Sequence, residues 1–294
     1  MIPARLNLFL TICVCAALTS LLLFATHLPP LMLAAAGIGF ALLHFTAYCL
    51  LHEAEHGLLV PHQMWNQILG VVLGLFFPAP FHLLRQGHLG HHVRNRTDTE
   101  AFDFYTEGEN KWVRRFQMYG TLTGIWWLVV AMSSLFVLVW PLPRFFLPDD
   151  KPTAALVNSI KPHSMLLIRL EALLLLVFHA GFFAWAYIPG LLLFYGLAGL
   201  LWSSQQYLHH YGTPRHPVYG ARNVRTFAWL DLLWLNHNWH LNHHISPETP
   251  WIDLPHQSSG AEIRTPMSRA YFAMWRGPRL THEFVVDPQE GKTL

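Results

Sequence analysis

The sequence predicts an all-α integral membrane protein with four transmembrane helices and a histidine-rich cap on one face of the membrane. Three observations support this prediction. Hydrophobic residues make up 53% of the 294-residue chain and charged residues only 12%, whereas about a quarter of an average soluble domain is charged. Several apolar runs are long enough to cross a bilayer as helices. Many of the twenty histidines form short clusters beside those runs.

The predicted transmembrane helices follow from the length of the apolar runs. A helix needs about 20 apolar residues to cross the hydrocarbon core. Two shorter or less clear apolar stretches, 68–80 and 121–140, are predicted to be interfacial or re-entrant helices. The four segments that meet the length requirement are about 6–26, 31–51, 166–187 and 190–208.

The placement of lysine and arginine supports this topology. With four crossings, the loops on one face are His27–Pro30 and Ile188–Pro189, and neither contains any of the nineteen basic residues. Basic residues favour the cytoplasmic side, so we expect a bacterial inner-membrane protein with its histidine clusters on that side. The chain is expected to form one domain, 1–294, with a tail, 245–294, against the cytoplasmic face. A net charge of only +2 argues against a nucleic-acid partner.

Three histidine clusters have the spacing expected of metal ligands. The first has the pattern HxxxH, and the second and third have HxxHH. Residues three and four apart share one face of a helix, and neutral imidazole is a good ligand for iron, zinc and copper. Eight imidazoles exceed the needs of one ion and suit two. These candidate ligands are His52 and His56, then His88, His91 and His92, and finally His240, His243 and His244.

In this order, beside paired transmembrane helices, the clusters resemble those of the integral-membrane fatty acid desaturase and hydroxylase superfamily. That group also contains alkane hydroxylases, carotenoid ketolases and decarboxylases that form terminal alkenes. The resemblance covers about 31–255 and includes the polar segment Arg94–Asp98 and the prolines Pro247 and Pro250. The stretch 206–212, QYLHHYG, is similar to a family segment of the form Asn-x-x-Glu-His-Tyr-Gly. On that alignment His210 is a ninth ligand, while Gln206 and His209 replace the family's Asn and Glu.

The resemblance implies two iron ions, O2 and a fatty acyl or similar lipid substrate. The implied reaction is oxidation of an unactivated C–H bond. Desaturation is favoured because it is the reaction of the largest group with this pattern. Hydroxylation and oxidative decarboxylation of a free fatty acid to a terminal alkene remain open. No cytochrome b5-like domain or flavin motif is visible, so we expect a separate electron carrier of the ferredoxin, rubredoxin or cytochrome b5 type.

Other polar residues near the clusters are candidates for supporting roles. Metal-bound imidazoles usually donate their second N–H to a carboxylate or carbonyl, which fixes the ring. Ionisable or polar groups inside membrane segments also suggest function, and His44 and His179 are candidates for lining a substrate cavity. The candidates for further ligands or for partners of the ligands are Glu53, Glu55, Asp98, Asp231, Gln206, His209 and His237.

A different class of protein, a histidine-rich metal transporter or sensor, also remains open. A transporter would need polar side chains at mid-membrane along several helices. The predicted spans offer few, mainly His44 and His179. A zinc hydrolase with the same clusters is a further alternative, because imidazole sites accept zinc as well as iron.

Overall fold

The computed structural model describes residues 1–98, 100–140, 160, 162–258 and 262–283. The predicted tail is described except at 259–261 and 284–294, which lie outside the described residues. The longer helices are α1 (Ala4–Ser20, continued by the π-helical Leu21–Ala25), α2 (Pro30–Glu55), α3 (Gln63–Phe76), α4 (Phe81–Arg94), α5 (Lys111–Leu122), α6 (Ile125–Leu138), α7 (Pro162–Trp185) and α8 (Ile188–Gln206). Shorter helices are α9 (Ala228–Leu233), α10 (His240–Ile245), the 3-10 turn Leu254–Gln257 and α11 (Met267–Met274).

The prediction of an all-α membrane fold is confirmed. Four helices in the described chain are long and apolar enough to cross a membrane, namely α1 with its continuation, α2, α7 and α8. Each begins and ends within four residues of its predicted bounds. The end of α2 differs by four residues, because the helix continues past the apolar run to Glu55. Helical hydrogen bonding does not require apolar side chains, so the first histidine cluster begins inside the last turns of a spanning helix.

Two sharply bent helix pairs account for the predicted interfacial or re-entrant segments. α3 and α4 meet at 98°, and α5 and α6 meet at 92°. The first bend contains Pro78 and Pro80, which cannot donate backbone hydrogen bonds. The second contains Gly124, whose φ of +85° lies in the left-handed region that glycine adopts without strain. The first bend places α4 against the C-terminal end of α2, so the first two histidine clusters face each other.

α2 forms the centre of the apolar core. Its side chains Phe40, Phe45, Leu50 and Leu51 are almost fully buried, and it packs against α1, α3 and α8. Phe40 stacks on Phe194 of α8 with 5.2 Å between ring centroids. α2 therefore has protein neighbours along most of its length, whereas α1 and α7 leave many apolar side chains exposed where lipid would cover them.

Buried polar side chains fasten the C-terminal segment to the first helices. The side-chain amide of Asn7 in α1 donates to the carbonyl of Leu59 at 2.9 Å, and its oxygen accepts from the indole N–H of Trp251 at 2.9 Å. The backbone N–H of Trp251 donates to the Glu53 carboxylate at 3.2 Å. The segment after α10 is thereby connected to the N-terminal part of α1 and the C-terminal end of α2.

Two short parallel strand pairs complete this attachment. β1 (Phe104–Tyr105) pairs with β4 (Arg279–Leu280), and β2 (Val224–Arg225) pairs with β3 (Thr265–Pro266). The described part of the tail therefore packs against the loops that follow α4 and α8.

The α3–α4 bend leads to a prediction about stability. A Cβ added at Gly74 would lie 2.9 Å from the carbonyl oxygen of Ala79, and backbone cannot move aside as a side chain can. We expect Gly74→Ala to destabilise the protein by about 1–3 kcal/mol, the usual cost of overpacking. Thermal unfolding in detergent, followed by size-exclusion chromatography, would show an earlier loss of the monodisperse peak. Gly39→Ala is the matched control, since a Cβ there meets nothing within 4 Å; equal unfolding temperatures for the two variants would contradict the prediction.

Candidate metal centre

The three histidine clusters and His210 lie on four separate parts of the fold. His52 is in the last turns of α2, and His56 is the first residue after this helix. The second cluster occupies the last two turns of α4. The third cluster forms most of α10, a short helix of six residues. His210 lies in the turn after α8. Each helical cluster presents its histidines toward the others because residues three and four apart share one face.

Four of these histidines form a first quartet. Their nearest imidazole nitrogens all lie within 4.8 Å of one another, and the Nε2 atoms of His56 and His88 are 2.8 Å apart. Nε2 of His52 is buried and has no hydrogen-bond partner among the described residues. The members of the first quartet are His52, His56, His88 and His243.

A second quartet lies beside the first. Its nearest nitrogens also lie within 4.8 Å of one another. Nε2 of His240 is 3.0 Å from Nε2 of His210 and 3.2 Å from Nε2 of His244. The members of the second quartet are His91, His210, His240 and His244.

His92 lies where the quartets meet. Its Nε2 is 3.1 Å from that of His88 and 3.0 Å from that of His243, both in the first quartet. Its ring centroid is 4.6 Å from that of His244 in the second. The structure thus gathers into one cluster all nine histidines that the sequence predicted as ligands.

Burial favours the uncharged form of several of these imidazoles. Loss of hydration lowers the pKa of His210, His240, His243 and His244 well below the ordinary value, and neighbouring histidines lower each pKa further. A neutral imidazole has one unprotonated nitrogen, and this is the form that binds metal. Inward-facing nitrogens, a buried nitrogen without a partner and the lack of any harder ligand in either quartet fit iron, zinc or copper.

Two of the rings are held by hydrogen bonds at the nitrogen that faces away from the quartet. Nδ1 of His210 donates to the carbonyl of Gly220 at 2.8 Å, which leaves Nε2 unprotonated and directed toward His240. Nδ1 of His91 is 2.6 Å from a carboxylate oxygen of Glu100. The other oxygen of Glu100 accepts from Nε of Arg94 at 3.0 Å. Carboxylate and carbonyl partners of this kind orient metal-bound imidazoles.

The sequence pattern did not indicate Glu100 as the partner of a ligand histidine and indicated Asp98 for this role instead. The Asp98 carboxylate pairs with Arg215, and 64% of its side chain is exposed. α4 ends at Arg94, and Arg96 adopts a φ of +64°. This turn directs Glu100 back toward His91 while Asp98 faces outward. A carboxylate nine residues after His91 is too distant along the chain for helical spacing to have revealed the contact.

The other carboxylates named from the sequence have different surroundings. Glu53 accepts from the backbone of Trp251. Asp231 pairs with the hydroxyl of Thr226. Oε2 of Glu55 is buried and has no hydrogen-bond partner among the described residues.

His209, His237 and Gln206 lie beside the quartets without belonging to them. Nδ1 of His209 is 3.2 Å from the carbonyl oxygen of Arg222, and its ring centroid is 4.7 Å from that of His240. The ring centroid of His237 is 5.4 Å from that of His52 and 5.3 Å from that of His240. Burial lowers the pKa of His209 to about 3 and that of His237 to about 4. Gln206 accepts from the hydroxyl of Tyr48 at 3.2 Å.

A fully buried arginine joins the loops that follow α4 and α8. Arg96 pairs with the Asp103 carboxylate at 2.6 Å and donates to the hydroxyl of Tyr207 at 2.8 Å. It also donates to the carbonyl of Thr213 at 2.7 Å. A buried ion pair is tolerated where further hydrogen bonds satisfy its remaining donors and acceptors. This network sets the position of the turn that carries His210 relative to the end of α4.

A cavity of about 470 Å³ reaches the quartets, within the usual range of about 300–1,000 Å³ for small-molecule sites. Its inner end contains histidines of both quartets, among them His88 and His240. Its outer walls are mainly apolar side chains of α4 and α6, such as Leu83, Val130 and Phe136. Gln206, His209, His237 and Glu55 also line it.

His44 and His179, predicted for a substrate cavity, lie elsewhere. His44 is surrounded by aromatic rings, including Phe40 and Phe77, and neither of its buried nitrogens has a hydrogen-bond partner among the described residues. His179 lines a separate cavity between α6, α7 and α8. The position of each histidine along its predicted helix indicated its depth in the membrane. It did not indicate which side of the helix bundle the histidine faces.

Comparison with known proteins agrees with this geometry. The chain matches the family model described as fatty acid desaturase over residues 26–276. The matched range contains both quartets, His92 and the walls of the 470 Å³ cavity. No curated protein and no solved structure gave a significant match.

The Glu100 contact leads to a prediction about metal affinity. Glu100→Ala removes the partner of His91 Nδ1, so the ring loses its fixed orientation. Loss of such a partner typically weakens metal binding about 10–100-fold, and we expect a loss of that size for an ion held by the quartet that contains His91. Titration with a competing chelator, followed by metal analysis, would measure it. Asp98→Ala is the control; an equal loss of metal in both variants would show that general loop damage, not the His91 contact, is responsible.

Proposed function

The chain belongs to the fatty acid desaturase family, and we propose that it uses O2 and two iron ions to oxidise an unactivated C–H bond of a fatty acyl or similar lipid. Family membership gives a desaturase- or hydroxylase-type oxidase. The observation that carries the finer proposal is the 470 Å³ cavity. One end of it is lined by histidines of both quartets, and most of the rest is apolar.

We assign one iron to each quartet. His52, His56, His88 and His243 would hold the first ion, and His91, His210, His240 and His244 the second, with His92 available between them. When bound, the irons supply redox chemistry with O2, which can break C–H bonds that side chains alone cannot break. The family match favours iron over the other metals that imidazole accepts.

The protein's own groups supply position and a dry environment. Glu100 and the Gly220 carbonyl fix the rings of His91 and His210, so that each presents its unprotonated nitrogen inward. Leu83, Val130 and Phe136 offer apolar walls for a hydrocarbon chain. Because binding an acyl chain there would expel water, the reactive carbon would be held against the quartets away from solvent.

Desaturation is the reaction we propose. It removes two hydrogens from neighbouring carbons, and with two electrons and two protons from outside the substrate O2 is reduced to two waters. The electrons would come from a separate carrier of the ferredoxin, rubredoxin or cytochrome b5 type. We further propose a bacterial inner-membrane location with the quartets on the cytoplasmic side, because the predicted loops of the opposite face lack lysine and arginine.

The ligand assignment predicts a contrast between two neighbouring histidines. His240→Ala should reduce bound iron from two ions per chain to about one. Turnover should fall by more than the roughly 10–100-fold typical of losing a group that only supports a ligand. His209→Ala, whose ring is next to His240 but outside the quartets, should keep both ions. Iron analysis of monodisperse protein would measure both variants, and retention of two irons in His240→Ala would refute the assignment.

The reaction itself is tested by product analysis. The purified chain, loaded with iron and given a reduced ferredoxin, O2 and acyl substrates of several lengths, should yield products that lack two hydrogens, detected by mass spectrometry. A product with one added oxygen would assign hydroxylation instead, and a terminal alkene without the carboxyl carbon would assign decarboxylation. Readily exchangeable zinc without O2 consumption would overturn the oxidase proposal and favour a metal transporter or sensor.

A further inference from the structure

A second cavity lies away from the quartets. It has a volume of about 360 Å³ and lies between α6, α7 and α8. It is on the other side of α6 from the 470 Å³ cavity, so that one helix separates the two. Val129, Val130 and Ser133 line the 470 Å³ cavity, whereas Trp127, Leu128 and Ala131 line the second.

Most of this second cavity is apolar, but it contains one polar pair. Nδ1 of His179 is 3.0 Å from the carbonyl oxygen of Leu175. Nε2 of the same ring is 3.0 Å from the hydroxyl of Tyr195. A carbonyl oxygen can only accept, so Nδ1 must carry the hydrogen of the neutral ring. Nε2 is therefore an acceptor, and the Tyr195 hydroxyl donates its only hydrogen to it.

The hydrogen bond to His179 determines what Tyr195 can offer a ligand. Its oxygen retains lone pairs, but it has no hydrogen left to donate. The hydroxyl of Thr123 is in the same situation, because it donates to the carbonyl of Tyr119 at 2.9 Å. The indole N–H of Trp127 has no hydrogen-bond partner among the described residues, but it is buried and does not reach the surface of the cavity. The described polar groups that the cavity presents are therefore acceptors, and a matching ligand needs a hydrogen-bond donor.

The polar pair lies inside the predicted hydrocarbon region. His179 is six residues before the end of α7 and Tyr195 is seven after the start of α8, which places both about 10 Å from the helix ends. A donor at this depth in lipid alone has no partner, and leaving it unpaired costs free energy. A charged donor such as an ammonium group would cost far more to bury. An uncharged hydroxyl is the donor that suits both conditions.

We propose that this cavity is a second lipid-binding site that takes a lipid alcohol, whose hydroxyl donates to the oxygen of Tyr195 while its hydrocarbon chain packs along α6 and α8. The site contains none of the histidines of the quartets. Binding there does not depend on bound iron or on the proposed oxidation.

A photoreactive analogue of hexadecanol with a diazirine in its chain tests the site on the full-length protein in nanodiscs. Tandem mass spectrometry would separate labels at 191–200, which contains residues of the second cavity, from labels at 202–206, which contains residues of the 470 Å³ cavity. We expect label in 191–200. Hexadecanol should prevent this labelling at a concentration at least about fivefold lower than hexadecyl methyl ether. The alcohol can donate one net hydrogen bond that the ether cannot.

Three variants test the role of the polar pair and the position of the bound lipid. His179→Leu frees the Tyr195 hydrogen, so the ether should compete as well as the alcohol. Gly196→Leu should abolish label in 191–200, since Gly196 lines the cavity and a Cβ there meets nothing within 4 Å. Gly181→Leu is the control on a neighbouring helix, where a Cβ is equally unobstructed, and it should label normally. Bound metal should be unchanged in all three.

Two results would overturn the proposal. The first is an absence of label in 191–200 of the unaltered chain. The second is equal competition by alcohol and ether in that chain, which would show that the cavity accepts any hydrocarbon and that the polar pair recognises nothing. Both comparisons use the unaltered protein, so the proposal stays testable even if a variant fails to fold.

Discussion

The packing of nine imidazoles into one cluster is the constraint on which the rest of the structure depends. Charged rings could not be packed so closely, and lone neutral rings would leave polar nitrogens unsatisfied. Most of the rings have one nitrogen within hydrogen-bond distance of a neighbouring ring, a carboxylate or a backbone carbonyl, and the protein supplies these partners from four separate elements. The 98° bend before α4 and the attachment of the C-terminal segment to Asn7 and Glu53 both bring those elements together at the C-terminal end of α2.

Polar contacts hold the loops next to the histidine clusters in position. Arg96 and Asp103 are both buried and join the end of α4 to the turn that contains His210. Glu100 adds a contact between this loop and His91 itself. Such contacts are directional, so they define the orientation of a ring in a way that apolar contacts cannot. The histidine clusters thus lie at the end of the helical bundle, where hydrogen bonds stabilise their arrangement.

α6 separates two cavities of different chemistry. The face that includes Val130 borders the cavity at the quartets, and the face that includes Trp127 borders the cavity with the His179–Tyr195 pair. The proposed oxidation requires that an apolar chain reach the quartets while other lipids surround the protein. Two separate cavities allow a chain to be held at the quartets and a second lipid to be bound beside α8 at the same time.

The sequence by itself determined the spanning helices, the three histidine clusters and the resemblance to the family, because each depends on residues close together along the chain. Apolar length defines a span, and a spacing of three or four places histidines on one face of a helix. Only the tertiary structure decided how the clusters divide into quartets, with His243 beside His52 and His244 beside His91. It also decided that Glu100, and not Asp98, contacts His91, and that His44 and His179 lie away from the quartets. These contacts depend on helix bends and on residues far apart in sequence, about which local spacing carries no information.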